Sequence, residues 1–275
     1  MDRREFLLGT AAAAFAAGGC HAFDGGRPTR PIRIAHCGDP QFGFSRCGDF
    51  QAYLEDMARF ERLIDRVNEE RPDVCFLAGD MCDWNGNLER DWPRLMKAFR
   101  VPVVVTPGNH DMGNTLTREN VERFRRVFGY DYTSLKVGPW RLISGNSQYW
   151  RPTGEETLRS AYETWLASEF ASARAAAEPV IVLTHIPLFI RTMGEGNDYE
   201  NYPLEGRQAR LDAYVKAGVR YCLCGHMHRL YSRAERGIVI LNAETTCRNF
   251  DERPTGYRML TLRGEDDYSW DFRRI

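Results

Sequence analysis

Five short runs of metal-liganding side chains follow one another along the chain: Asp39-Pro40-Gln41, Gly79-Asp80-Met81-Cys82-Asp83, Gly108-Asn109-His110-Asp111, Thr184-His185 and Gly225-His226-Met227-His228. Asp, Asn, Gln and His offer oxygen and imidazole lone pairs to divalent cations. No single run completes one coordination shell. Pooled, they can hold two cations about 3.5–4 Å apart, the spacing at which a metal pair clamps the attacking and leaving oxygens of a phosphoester. A lone histidine at a strand end is more often hydrogen-bonded structure than a ligand. Dismissing this constellation requires that bland reading to hold for every run at once. Of the other two histidines, His21 lies in the leader region and His36 lies within a strand, where it reads as structural. Asp49, Asp56 and Asp65 read as solvated.

The elements that position these runs follow from hydrophobic spacing. Ile32 to Cys37 reads as a strand, and Gln51 to Glu70 as a helix carrying Leu54, Met57, Phe60, Ile64 and Val67. Asp73 to Ala78 and the β-branched stretch Pro102 to Thr106 read as strands. Between and after them, Leu88 to Phe99 and Thr117 to Phe128 read as helices. Thr133 to Val137 and Trp140 to Ser144 form a hairpin across Gly138-Pro139. A long helix spans Glu155 to Ala177, then a strand Val180 to Thr184, then a helix Leu204 to Ala217. Strands at Val219 to Cys224, Gly237 to Leu241 and Tyr257 to Leu262 close the chain. This order predicts an α/β fold of two mixed sheets flanked by helices. Each run of ligands sits at the end of an apolar strand, where such folds place their sites.

The 275 residues are 43% hydrophobic, enough for one sizeable core, and the net charge of −1 gives no reason to expect a nucleic-acid partner. Residues 1–22 read as an export signal. Arg3-Arg4 precede Phe6-Leu7-Leu8 and an apolar stretch too short to span a bilayer, which resembles a twin-arginine (Tat) signal for folded cargo. Ala17-Gly18-Gly19-Cys20 reads either as a lipoprotein site with Cys20 lipidated or as ordinary cleavage nearby. Residues 23–31 read as a linker and 32–275 as the folded domain. The expectation is an exported protein, periplasmic or lipid-anchored at the cell envelope, touching membrane only through Cys20. Eight cysteines in an exported chain suggest disulfides. Yet Cys37, Cys75, Cys222 and Cys224 lie in apolar strands, where free thiols act as small hydrophobes. Cys37 and Cys82 both flank motif residues and are the pair a disulfide would join.

The motif order and gaps resemble the metallophosphoesterase (calcineurin-like phosphoesterase) superfamily over about residues 32–245. Asp39-Pro40-Gln41-Phe42-Gly43, Gly145-Asn146-Ser147-Gln148 and His185-Ile186-Pro187-Leu188-Phe189 are similar to its Asp-Pro-Gln branch of phosphatases. The resemblance implies a four-layer αββα sandwich and a dinuclear centre of two divalent metals (Mn, Fe, Mg or Zn) with a bridging hydroxide. It implies that Asp80 bridges, that Asp39, Gln41 and His228 hold one metal, and that Asn109, His185 and His226 hold the other. It also implies that His110 protonates the leaving oxygen or holds the phosphate. Asp83 is the candidate to orient His110, with Asp111 the alternative. Gln41 stands where the superfamily commonly has His. A neutral amide oxygen is harder than imidazole, which weakens that metal and favours Mn, Mg or Fe over Zn.

Phosphoester hydrolysis follows from the resemblance, with a small-molecule or protein phosphomonoester as the leading substrate. A phosphodiesterase for cyclic nucleotides or glycerophosphodiesters is the alternative, and an inactive exported metal-binding protein the non-enzyme reading. Trp84 stands where the related protein phosphatases carry a phosphate-clamping Arg, so the clamp is unassigned. Rim segments are expected at Phe42 to Phe50, Trp84 to Trp92, Tyr149 to Thr157 and Ile190 to Arg207, with Arg191 or Arg207 as phosphate contacts.

Overall fold

The computed structural model describes residues 30–46, 49–83, 88–151 and 153–275. Residues 1–29, where the export signal and most of the linker are expected, with Cys20 and His21, lie outside the described residues, as does Trp84. Strand β1 (Ile32–Cys37), helix α1 (Phe50–Glu70), β2 (Val74–Leu77), α2 (Leu88–Ala98), β3 (Val103–Val105) and α3 (Arg118–Phe128) come first. The hairpin β4 (Thr133–Val137) and β5 (Trp140–Ser144) has the expected bounds, followed by α4 (Glu156–Ala175), β6 (Val180–Leu183), α5 (Leu204–Ala217) and β7 (Val219–Cys224). The last elements are β8 (Tyr231–Glu235), β9 (Ile238–Asn242), β10 (Gly256–Leu262) and β11 (Tyr268–Arg274). Neither β8 nor β11 was expected.

Two mixed sheets result. The first runs β11-β10-β1-β2-β3 and the second β4-β5-β6-β7-β9-β8. In the first, β1, β2 and β3 are parallel; in the second, β5, β6, β7 and β9 are parallel. The two unexpected strands pair antiparallel at the sheet edges.

The period-two alternation of a strand sorts the core into layers. Ile32, Ile34, Val74, Phe76 and Val104 of the first sheet cluster with Trp140, Leu142, Ile181, Leu183, Tyr221 and Leu223 of the second. Their neighbours Ala35, Cys37, Cys75, Leu77, Val105, Cys222 and Cys224 belong to a second cluster with the helix residues Phe60, Leu63, Val67, Trp92, Phe170 and Tyr214. One face of each sheet therefore meets the other sheet and the opposite face meets helices, as the αββα reading requires. Each such side chain contributes roughly 1.5–3 kcal/mol on burial.

The individual side chains correct some expectations and bear out others. Leu54 is 42% exposed, and the inner face of α1 is carried by Tyr53, Phe60, Leu63, Ile64 and Val67. Asp56, read as solvated, is buried because the segment after Phe42 folds over it: it accepts from Gly43 N, Ser45 N and Ser45 Oγ and pairs with Arg59. Asp49 is the N-cap of α1, accepting from Gln51 N. No Cys37–Cys82 bridge forms. Both thiols are free; Cys37 Sγ lies 3.8 Å from Cys75 Sγ, and Cys82 Sγ accepts from Trp92 Nε1. Burial pushes the Cys37 thiol well up, as suits an inert core residue. His36 is structural: its Nε2 donates to the Cys224 carbonyl, and burial lowers it to about 4.

Candidate metal centre

The parallel strands deliver the ligand-bearing turns to one end of both sheets. The turns after β1 and β2 are bonded together, Gln41 N donating to the Asp80 carbonyl at 2.8 Å. The turns after β6 and β7 join through Gly225 N and the His185 carbonyl at 3.0 Å. Between the sheets, the backbone N of His226 reaches both carboxylate oxygens of Asp39 at 3.0 Å. His185 Nδ1 donates to the Ala78 carbonyl at 2.6 Å.

Local conformation carries a cost here. Gln41, Asp80, His226 and His228 all lie at positive φ (34°, 51°, 72° and 46°). Non-glycine residues reach this region at roughly 1–2 kcal/mol each. Glycines precede Asp80, Asn109 and His226 and could supply the turns that aim these side chains. Gly79 does so, at φ +90°. Gly108 serves differently: a Cβ there would fall 2.0 Å from Asp80 Oδ1, so its task is clearance.

The histidines present their lone pairs inward. His185 Nδ1 is bound to the Ala78 carbonyl, His226 Nε2 lies 3.3 Å from the Tyr199 carbonyl, and His228 Nδ1 lies 2.9 Å from the Arg248 carbonyl. A carbonyl only accepts, so each outer nitrogen carries the proton and each inner nitrogen is left as a donor to a cation. His185 Nε2 then meets His226 Nδ1 at 3.1 Å, Asn109 Oδ1 at 3.0 Å and Asp80 Oδ2 at 3.4 Å. Asp80, His185 and His226 are all buried, and one liganding atom from each lies within 4.8 Å of the others. Asn109 is turned the same way, because its Nδ2 donates to Asn114 Oδ1 and to the Tyr199 hydroxyl. These are electron-pair donors facing one another, which a positive charge between them reconciles: a bound cation, or in its place a second proton on His185. On the other side, His228 Nε2 lies 3.8 Å from Asp39 Oδ1, and Gln41 Oε1 is buried without a hydrogen-bond partner among the described residues. An orphaned buried amide oxygen also suits a cation. The residues fit a divalent pair.

Electrostatics agree. Burial alone would raise Asp80, but His185 beside it more than offsets this and holds its carboxyl well below the usual range. Burial lowers His185 while Asp80 raises it, to about 9. Burial and the charged His185 push His226 down to about 3. The pair of imidazoles thus favours one positive charge between them. Burial raises Asp39 against the pull of His228 and His185.

His110 stands at the same turn as Asn109 but faces elsewhere. Its Nδ1 lies 3.3 Å from Asp83 Oδ1 and 3.4 Å from the Asp83 carbonyl. Burial opposes its charge, yet Asp83 and Asp80 raise it to about 9. Asp111 does not touch it. That carboxylate accepts from Met81 N and Gly108 N, and burial with the charge of Asp80 raises it to about 7. It ties two ligand-bearing turns together. Ser147 also sits one layer back, its Oγ accepting from Ile186 N.

Of the rim residues, Arg207 is not a phosphate contact. It is buried and donates to the carbonyls of Tyr202, Met193 and Glu195, which shapes the segment before α5. Arg191 is exposed, with its backbone N on Glu195. Tyr199 has the larger part: its hydroxyl meets Asn109, its carbonyl meets His226, and Arg151 lies over its ring while donating to the Asp198 carbonyl. Phe250, unforeseen, stacks on His228. Its stretch has no hydrophobic period, so nothing in the sequence marked it.

The family model described as calcineurin-like phosphoesterase matches residues 32–230. Serine/threonine-protein phosphatase CPPED1 of Homo sapiens is 30% identical over 247 residues, 82% of this chain and 79% of that protein. The 3',5'-cyclic adenosine monophosphate phosphodiesterase CpdA of Escherichia coli (strain K12) is 24% identical over 251 residues, 85% of this chain and 82% of that one. Among solved structures, a dimetal phosphatase from Danio rerio superposes with a TM-score of 0.60 at 13% identity, covering 88% of this chain and 98% of that chain. Purple acid phosphatase PPD1 from yellow lupin gives 0.59 at 16% identity, covering 89% of this chain and 51% of that chain. These structures share the fold.

Proposed function

This chain belongs to the calcineurin-like phosphoesterase family, a family of metal-dependent hydrolases of phosphoester bonds, and we propose that within it the chain is a phosphomonoesterase. The observation that carries this reading is the His110–Asp83 pair, 3.3 Å apart, set beside a cluster of inward-facing candidate ligands. The similarity to phosphatases at 30% identity supports the monoester over the diester.

Asp39, Gln41 and His228 would hold one divalent cation and Asn109, His185 and His226 the other, with Asp80 shared. Such cations, when bound, neutralise phosphoryl oxygens and lower the pKa of water. The chain supplies the rest. The backbone carbonyls of Ala78, Tyr199 and Arg248 fix the histidine tautomers. His110 gives a proton to the leaving alkoxide, whose own pKa is far above 7. Asp83 keeps His110 charged and turned toward the substrate. Gln41, an amide in place of imidazole, supports Mn, Mg or Fe over Zn as the resident metal.

The test compares p-nitrophenyl phosphate with bis-p-nitrophenyl phosphate, using Mn-loaded protein with and without EDTA. The monoester should turn over faster and EDTA should stop it; metal-independent turnover would overturn the two-metal reading. Faster diester turnover would favour the second reading, a phosphodiesterase, for which the similarity to CpdA speaks.

Export by the twin-arginine route, possible lipidation of Cys20, and the division into signal (1–22), linker (23–31) and catalytic domain (32–275) are part of the same proposal. Arg3-Arg4 before Phe6-Leu7-Leu8 supports it. Arg3→Lys with Arg4→Lys should block export, and unchanged secretion would refute that route.

A further inference from the structure

Two aromatic rings stand at the mouth of the centre with no part in holding metal or moving protons. Phe44 follows Gln41 in the short turn Phe44–Arg46, and Phe250 lies between β9 and β10. Both are placed by the ligands' own backbone. Phe44 N donates to the Gln41 carbonyl at 3.0 Å, and Phe250 N donates to the His228 carbonyl at 2.9 Å. The Phe250 ring stacks on His228 with centroids 4.6 Å apart and planes 9° apart. Phe44 completes a corner, 4.9 Å from His228 and 6.0 Å from Phe250. Its centroid is also 6.4 Å from that of His110.

Exposure is what calls for an explanation. Phe250 is 52% exposed, although one face lies flat on a ligand histidine, and Phe44 is only part-buried. Apolar surface left open beside a reactive centre marks a place where something apolar sits in use. The proton donor says which part of a substrate that is. In hydrolysis the bond from phosphorus to the leaving oxygen breaks and a bond from phosphorus to a water oxygen forms. The leaving oxygen takes the proton of His110, and the water gives up one of its own. Whatever carbon group the leaving oxygen carries must therefore lie next to His110, and Phe44 is the ring beside it.

We infer that Phe44 and Phe250 form a leaving-group subsite for a flat, unsaturated ring, so that the preferred substrate is a phosphoester of an alcohol bearing such a ring. Stacked or edge-to-face aromatic pairs suit the open corner, and no charged side chain is needed to hold the ring. This rests on the reading that His110 protonates the leaving oxygen.

The test uses benzyl phosphate and ethyl phosphate, whose alcohols differ little in basicity, so that a rate difference reports contact with the ring. The corresponding methyl diesters are run alongside, on Mn-loaded full-length protein. The wild type should favour the benzyl ester in kcat/KM by about three- to tenfold. Phe250→Ala should bring the ratio to about one through the benzyl KM, and Phe250→Trp should keep it. Metal content by elemental analysis shows whether each variant still holds its centre. A wild-type ratio near one, or a ratio that survives Phe250→Ala, would overturn the subsite. If only the diesters turn over, the monoester reading falls while the benzyl-to-ethyl ratio still decides the subsite. If neither pair turns over, both fall.

Discussion

The two halves of the ligand cluster are built to different standards. On the Asn109, His185 and His226 side, donor atoms stand 3.0–3.4 Å apart and every outer polar group is tied down. Asn109 is held by Asn114 and Tyr199, and Arg151 secures the segment that carries Tyr199. On the Asp39, Gln41 and His228 side, Asp39 and His228 are held by His226 N and the Arg248 carbonyl, but His228 Nε2 stands 3.8 Å from Asp39 Oδ1, the Gln41 oxygen has no partner among the described residues, and the neighbours are two part-open phenyl rings. One half is preorganised for a cation; the other has room to adapt. Outer-shell bonds that fix a ligand's orientation raise its affinity. The braced half should therefore keep its metal while the looser half exchanges.

The largest expected effect falls on neither half. His110→Ala should lower kcat on alkyl esters by about 10²–10⁴ while both metals stay bound, as turnover and elemental analysis will show. Loss of a metal in step with activity would make His110 a ligand and redraw the comparison. Next, Tyr199→Phe should weaken one metal by about 10–100-fold, read as stoichiometry after dialysis against graded EDTA, with the Gln41-side metal unaffected. In the wild type the same dialysis should remove metal in two steps, and a single step would erase the distinction between the halves. Asp56→Ala, which frees the Phe42–Arg46 segment under the looser half, should cost about 1–3 kcal/mol in urea denaturation. The smallest effect is Leu54→Ser, within about 0.5 kcal/mol, because that side chain is 42% exposed and outside the core.

What could be read in the sequence, and what could not, divides along physical lines. β2, β6 and β7 are parallel and covered on both faces, so their apolar runs were plain. β8 and β11 are edge strands with one ladder partner each, and Tyr231-Ser232-Arg233-Ala234-Glu235 has little apolar content to betray it. The candidate ligand runs stood out because their residue types are rare together, and the fold brings Asp80, His185 and His226 into one cluster. The contacts that orient them were not, because most are backbone carbonyls, and a carbonyl carries no sequence signature. Asp56 was misread for a related reason. It shares the inner face of α1 with Tyr53, Phe60, Leu63 and Val67, but a carboxylate reads as solvated until the folded path of a distant turn supplies its partners. The long rim after Ile190 was foreseen as a segment, yet Arg207 and Tyr199 differ in task because one faces its own loop and the other the centre.

The positive φ angles at Gln41, Asp80, His226 and His228 set folding against chemistry at single positions. Glycine is the residue the backbone there would choose, and it has no side chain with which to bind a cation. A stability screen blind to activity should therefore select glycine at these sites, yielding a sturdier protein that has lost its catalyst. The four positions mark where this chain holds less stability than its architecture allows, and where a thermostabilisation campaign must not look.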